Sequence, residues 1–117
     1  MSGMASERAV VIARRETCCS SYHQAVELVG KRWTGAILFV LLDGPTRFSE
    51  FKQLVPDLSD RLLSERMKEL EAEGIVERHV SDSGPVRVEY ALTDKGRALE
   101  PTVRALKSWA HNWLPRQ

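Results

Sequence analysis

The fold is decided between residues 47 and 70, RFSEFKQLVPDLSDRLLSERMKEL. Phe48, Phe51 and Val55 recur at helical spacing until Pro56 stops the run. After Pro56-Asp57-Leu58, Ser59 is a natural N-cap for a second helix that reaches about Glu73, where Gly74 ends it. Two short helices joined by a tight turn make a helix-turn-helix. At about 100° per residue, Leu62, Leu63, Met67 and Leu70 gather on one side of the second helix, while Arg61, Ser64 and Lys68 face away. Such an outer face suits the major groove, because arginine bonds a guanine edge twice and serine or lysine serves base or phosphate. Ser59 at the helix start and Arg47 ahead of the first helix join this candidate DNA-contacting set. Arg66 falls near the apolar side and is read as bracing a neighbouring helix. The plainer alternative is that these polar residues form a solvated surface.

Upstream, Ser21-Tyr22-His23-Gln24 fits a capping box, and Tyr22, Ala25, Val26 and Val29 share one face until Gly30 interrupts. From Trp33 to Leu42 the residues are apolar nearly all round, which predicts a helix covered on every side and ended by Asp43-Gly44-Pro45. Downstream, the period changes from 3.6 to two. Val76, Arg78 and Val80 alternate with Glu77 and His79, Asp82-Ser83-Gly84-Pro85 turns the chain, and Val86, Val88, Tyr90 and Leu92 alternate with Arg87 and Glu89. This predicts a β-hairpin whose Arg87 is a further DNA-contact candidate. Thr93 caps a final helix with an apolar stripe of Leu99, Val103, Leu106, Ala110 and Trp113, bent early by Pro101. The order is that of a winged helix-turn-helix, mainly α with a β-hairpin wing, an α+β architecture.

With 117 residues, 43% of them hydrophobic, the chain suits one domain near the size at which association adds needed burial. Residues 1–17 show no sustained period and read as an N-terminal arm, with 18–117 as the domain. The longest apolar run, Ala36 to Leu42, falls far short of the roughly 20 residues that cross a bilayer. The expectation is a cytoplasmic protein with no membrane contact. Seventeen basic residues against 16 acidic ones, a net charge of +1, do not advertise nucleic-acid binding, so affinity must come from local placement. The predicted reading helix is itself acidic, with three basic and five acidic residues across 59–73.

The chain also contains Cys19, Val29-Gly30-Lys31-Arg32-Trp33, Asp43-Gly44-Pro45-Thr46-Arg47-Phe48, Leu63-Ser64-Glu65-Arg66-Met67-Lys68-Glu69-Leu70-Glu71 and Val88-Glu89-Tyr90-Ala91-Leu92-Thr93. Together these closely resemble the HxlR-type winged-helix regulators of bacteria, over about residues 18 to 114. The resemblance implies a homodimer formed by the first and last helices, bound to a twofold-related double-stranded operator and acting as a repressor. Tyr22, Val26, Val29, Leu106, Trp109 and Trp113 are the interface candidates, although Trp109 and Trp113 could equally close the monomer's own core. Some members of the family are quinone- and disulfide-stress repressors with a reactive cysteine at the spacing that separates Cys19 from Trp33. They commonly follow that cysteine with proline, where this chain has Ser20, and several carry a C-terminal cysteine that it lacks. Alkylation by quinones, a mixed disulfide, or bridging of two N-terminal segments remain as the thiol chemistries.

Cys19 sits just ahead of a helix, where amide groups and the helix dipole meet a negative sulfur. An adduct there would reorient the subunits and break register with successive major grooves, roughly 34 Å apart. Cys18 is the accompanying redox candidate. Free cysteines are also commonly silent packing residues. Cys19 with His23 offers too few ligands for a metal, and no cofactor motif is present. A thiol enzyme would need a supporting base, and no Cys-x-x-Cys or phosphate-cradling loop appears, so no enzymatic activity is expected. The remaining alternatives are a regulator of this type without thiol sensing, or a winged helix used for protein contacts.

Overall fold

The computed structural model describes residues 2–115. Met1, Arg116 and Gln117, at the outer ends of the expected arm and domain, lie outside them. The elements are α1 (Ser2–Ala13), α2 (Ser20–Val29), α3 (Thr34–Leu42), β1 (Thr46–Arg47), a 3-10 turn (Phe48–Glu50), α4 (Phe51–Leu54), α5 (Asp60–Ala72), β2 (Val76–Val80), β3 (Val88–Leu92), α6 (Asp94–Arg97) and α7 (Glu100–Trp113).

Helix α3 is the centre of the core, as its all-round apolarity requires. Its Ile37, Leu38 and Leu41 pack with Phe51 of α4, Leu58, the inward Leu63, Met67 and Leu70 of α5, and Ile75, Val76 and Tyr90 of the wing. The left-handed Trp33 (φ 77°) turns the chain from α2 into α3. Helix α5 begins where the Ser59 hydroxyl accepts the Leu62 N–H at 3.2 Å. It ends in a Schellman motif: Ile75 N–H reaches the Leu70 carbonyl (2.8 Å), Gly74 N–H reaches Glu71 (3.0 Å), and Gly74 takes the required positive φ of 72°. Gly96 serves closeness rather than torsion, since a Cβ there would lie 2.2 Å from the Ile75 carbonyl oxygen.

Five details depart from the sequence reading. Residues 2–13 are helical where no regular structure was expected, and from Ser6 to Ala13 that helix is exposed. Helix α2 starts at Ser20, not inside a Ser21 capping box, because the Cys19 sulfur takes the role of the cap and accepts the Tyr22 N–H at 3.3 Å. The wing is a three-stranded antiparallel sheet of order β1-β3-β2, with Thr46 opposite Tyr90 and Arg47 opposite Glu89. Strand β3 begins at Val88, so Val86 belongs to the exposed wing tip. The final helix is broken rather than bent. Thr93 caps the short α6, and after Ala98 and Leu99 the chain starts α7, with Pro101 in its first turn where no N–H is needed.

Candidate nucleic-acid interface

With Leu63, Met67 and Leu70 anchored in the core, the opposite side of α5 is turned outward toward the wing. Between α5, the 3-10 turn and the wing lies an open cleft of about 790 Å³. Of the expected contact residues, Arg47, Ser64, Lys68 and Arg87 line it, and so do Ser49, Arg78 and Glu71 over a floor that includes Phe48, Val88 and Tyr90. Among the described lining residues, four cations stand against one carboxylate. Local placement thus supplies a positive surface that the nearly neutral composition hides.

Three of the carboxylates along α5 are paired with cations. Asp60 is 3.2 Å from Lys52, and Glu65 is 3.4 Å from Arg61. Glu69 is bonded to both Lys31 and Arg66. The Lys31 ammonium holds the Glu69 carboxyl below its ordinary value, against a push from burial and with help from Arg66. Arg66 braces as the sequence indicated. Its Nε donates to the Arg32 carbonyl at 2.9 Å and its Nη1 lies 2.8 Å from Glu69 Oε1, tying α5 to the corner between α2 and α3.

Arg61 and Ser59 stand apart from the cleft. The Arg61 side chain is 88% exposed near the N-terminus of α5, beyond the lining, and the Ser59 hydroxyl is engaged as the helix cap. Arg78 and Ser49 were missed. Arg78 is paired in register with Tyr90, so period-two alternation placed it on the apolar side of the hairpin with Val76 and Val80. That same side overhangs the cleft beyond Val76. Arg47 is fixed by its own backbone, whose N–H donates to the Glu50 carboxylate at 2.8 Å.

On the other side of the molecule, Tyr22 and Val26 of α2 and Leu106, Trp109 and Trp113 of α7 are exposed, Trp113 at 75%. The two tryptophans therefore do not close the chain's own core. Val29 is half-buried and borders an apolar groove with Phe39, Val103 and Leu106, beside which Lys107 Nζ lies 4.3 Å over the Phe39 ring. Both cysteines are free and exposed, and the Cys18 thiol donates to the Cys19 carbonyl at 3.7 Å. His23 lies 3.5 Å from Glu27 and His79 3.1 Å from Glu77. No cluster of three or more His, Cys, Asp or Glu suited to a metal occurs among the described residues. No described helix is long and apolar enough to cross a membrane.

The profile of the HxlR-like helix-turn-helix family matches residues 28–117. The transcriptional regulator YvaP of Bacillus subtilis (strain 168) is 50% identical over 96 residues, spanning 82% of this chain and 89% of YvaP. The regulator YodB of the same organism is 47% identical over 94 residues, 80% of this chain and 84% of YodB. The reduced form of YodB superposes with a TM-score of 0.75 at 44% identity, over 84% of this chain and 96% of that one. Its quinone-bound form gives 0.71 at 43%, over 82% and 100%. The reduced redox regulator HypR gives 0.75 at 39%, over 80% and 92%.

Proposed function

The chain belongs to the HxlR-like helix-turn-helix family, and on that premise we propose that it is a sequence-specific DNA-binding transcriptional regulator, a homodimeric repressor whose operator affinity is lowered by modification of Cys19. The observation that carries this reading is the cleft in which Arg47, Lys68, Arg78 and Arg87 surround Ser64 on the outer side of a core-anchored helix. Ser64 and Lys68 enter the major groove, Arg61 reaches its edge, and the wing cations hold the flanking backbone. The exposed Tyr22, Val26, Leu106, Trp109 and Trp113, with Val29, form the subunit interface. Residues 1–17 act as an arm outside the 18–117 domain, and the protein works in the cytoplasm without catalysis.

Modification follows from the Cys19 cap. A quinone accepts the Cys19 sulfur as a new carbon–sulfur bond and takes up the thiol proton, becoming a hydroquinone thioether. The occupied sulfur no longer holds the Tyr22 N–H, which perturbs the end of the helix that carries Tyr22 and Val26. Subunit orientation then shifts, and the two reading helices lose the roughly 34 Å repeat of the groove.

Selection from random duplexes with reduced protein tests the proposal. A twofold-symmetric site is expected, with log affinity falling against log salt at about −0.9 per phosphate neutralised. A quinone or diamide should weaken binding by the parent and leave Cys19→Ser unaffected. Absence of any preferred sequence would overturn the DNA reading. Equal loss in parent and variant would overturn the thiol switch.

A further inference from the structure

The function above needs one thiol and leaves Cys18 without a task. We propose that Cys18 and Cys19 together form a two-point site for dithiol-seeking soft electrophiles of the monosubstituted trivalent arsenical class, RAs(OH)2. Both thiols are free and exposed, and both sulfurs sit at the same helix end, one on the Tyr22 N–H and the other against the Cys19 carbonyl. Residues 16–18 precede the cap and belong to neither helix nor strand, so reorienting Cys18 leaves the first helical bond, His23 N–H to the Cys19 carbonyl at 3.1 Å, in place.

The donor count selects the ligand. His23, one turn along, is engaged with Glu27, and among the described residues no third His, Cys, Asp or Glu completes a metal cluster with the thiols. Two sulfurs are too few for a tetrahedral zinc site but match the two positions that a monosubstituted arsenical leaves open. A direct disulfide between neighbours must reach about 2.0 Å with a dihedral near a right angle, which strains the short ring. Arsenic placed between the sulfurs widens that ring and removes the constraint.

In the step, two As–S bonds form and two As–OH bonds break. Each departing hydroxide takes one thiol proton, giving two waters with no change of oxidation state. The second bond is intramolecular, so the adduct resists monothiols that strip a singly bound arsenical. Any effect on DNA rests on the regulator reading, whereas occupancy of the site is measured by mass alone, so the two fail separately.

The experiment loads reduced parent, Cys18→Ser and Cys19→Ser with one equivalent of phenylarsine oxide. It then adds about a hundredfold excess of glutathione and follows the intact masses. The parent is expected to keep one phenylarsenic per chain, shed at least ~100-fold more slowly than from either variant and removed by 2,3-dimercaptopropanol. Loss from the parent as fast as from the variants, retention by either variant, or one arsenic bridging two chains would each overturn the proposal.

Discussion

Arg66→Met tests whether the reading helix is held in place by its guanidinium brace. The Arg66 side chain is 14% exposed, with Nε 2.9 Å from the Arg32 carbonyl and Nη1 2.8 Å from Glu69 Oε1. Methionine keeps the apolar stem and approximate length, so the substitution removes mainly the donors. A hydrogen bond from a charged donor contributes about 1.5–3 kcal/mol, and a partly exposed ion pair about 0.2–1 kcal/mol. Arg32 is exposed, so water replaces part of the first loss, and Glu69 retains Lys31, which limits the second. Taking ~1.5 and ~0.5 kcal/mol gives a destabilisation of about 2 kcal/mol, or roughly 8 °C in Tm for a domain of this size. Urea unfolding at one fixed protein concentration measures it, because the proposed dimerisation would contribute to apparent stability. Since Arg66 points inward, the salt dependence of DNA binding should stay at the parent's slope. A stability loss under about 0.5 kcal/mol, well below the single hydrogen-bond value, would show that the brace does not anchor the helix. A slope reduced by about 0.9 per half-site would put Arg66 on a phosphate and refute the geometry outright.

Arg78→Ala and Arg87→Ala should each flatten the salt slope by about 0.9 per half-site, measured by fluorescence anisotropy across a salt series, and an unchanged slope removes that residue from the backbone contacts. Gly96→Ala drives a Cβ to 2.2 Å from the Ile75 carbonyl oxygen, which also accepts the Thr93 N–H at 3.0 Å and so has little room to yield. The expected cost is about 3 kcal/mol in urea unfolding, and a neutral result would mean that α6 and the Ile75 backbone just ahead of β2 are not in close contact. Glu69 titrates below its usual 4.5 in the folded chain, so its contribution is complete above that value and is lost as pH falls through the lowered one. The stability difference between the parent and Glu69→Gln should therefore hold level well above pH 4.5 and shrink as the pH falls below it, and a pH-independent difference would exclude the ionic contribution.

The apolar stripe of α5 could be read in the sequence because burying one side of a helix imposes the 3.6 period on Leu63, Met67 and Leu70. Ser59 and Gly74 were equally legible, since their caps rest on local chemistry. Features made by tertiary neighbours were not. Thr46 and Arg47 form a strand only because β3 lies beside them, and two residues are too few to show alternation. Arg78 obeys the strand period, yet no local signal tells that its side of the wing passes from core to cleft. Cys19 was identified as a candidate thiol but not as a cap, because the expected caps are oxygen-bearing side chains. The pairing of Asp60, Glu65 and Glu69 with Lys52, Arg61, Lys31 and Arg66 depends partly on residues far away in sequence, so the acidic count along α5 misstated the charge its surface presents.

If the cleft is the DNA-binding surface proposed above, the two-residue ladder of β1 governs how it meets its target. Arg47 is stitched to Glu89 in the middle strand and is followed at once by Phe48, where the path into the helix pair begins. The two arms of the cleft are therefore riveted together close to their pivot, like a pair of tongs with one setting. On the proposed DNA reading, the part left to follow grooves of different width is the tip beyond the Ser81–Arg87 hydrogen bond (3.0 Å), where Gly84 adopts a φ of 74°.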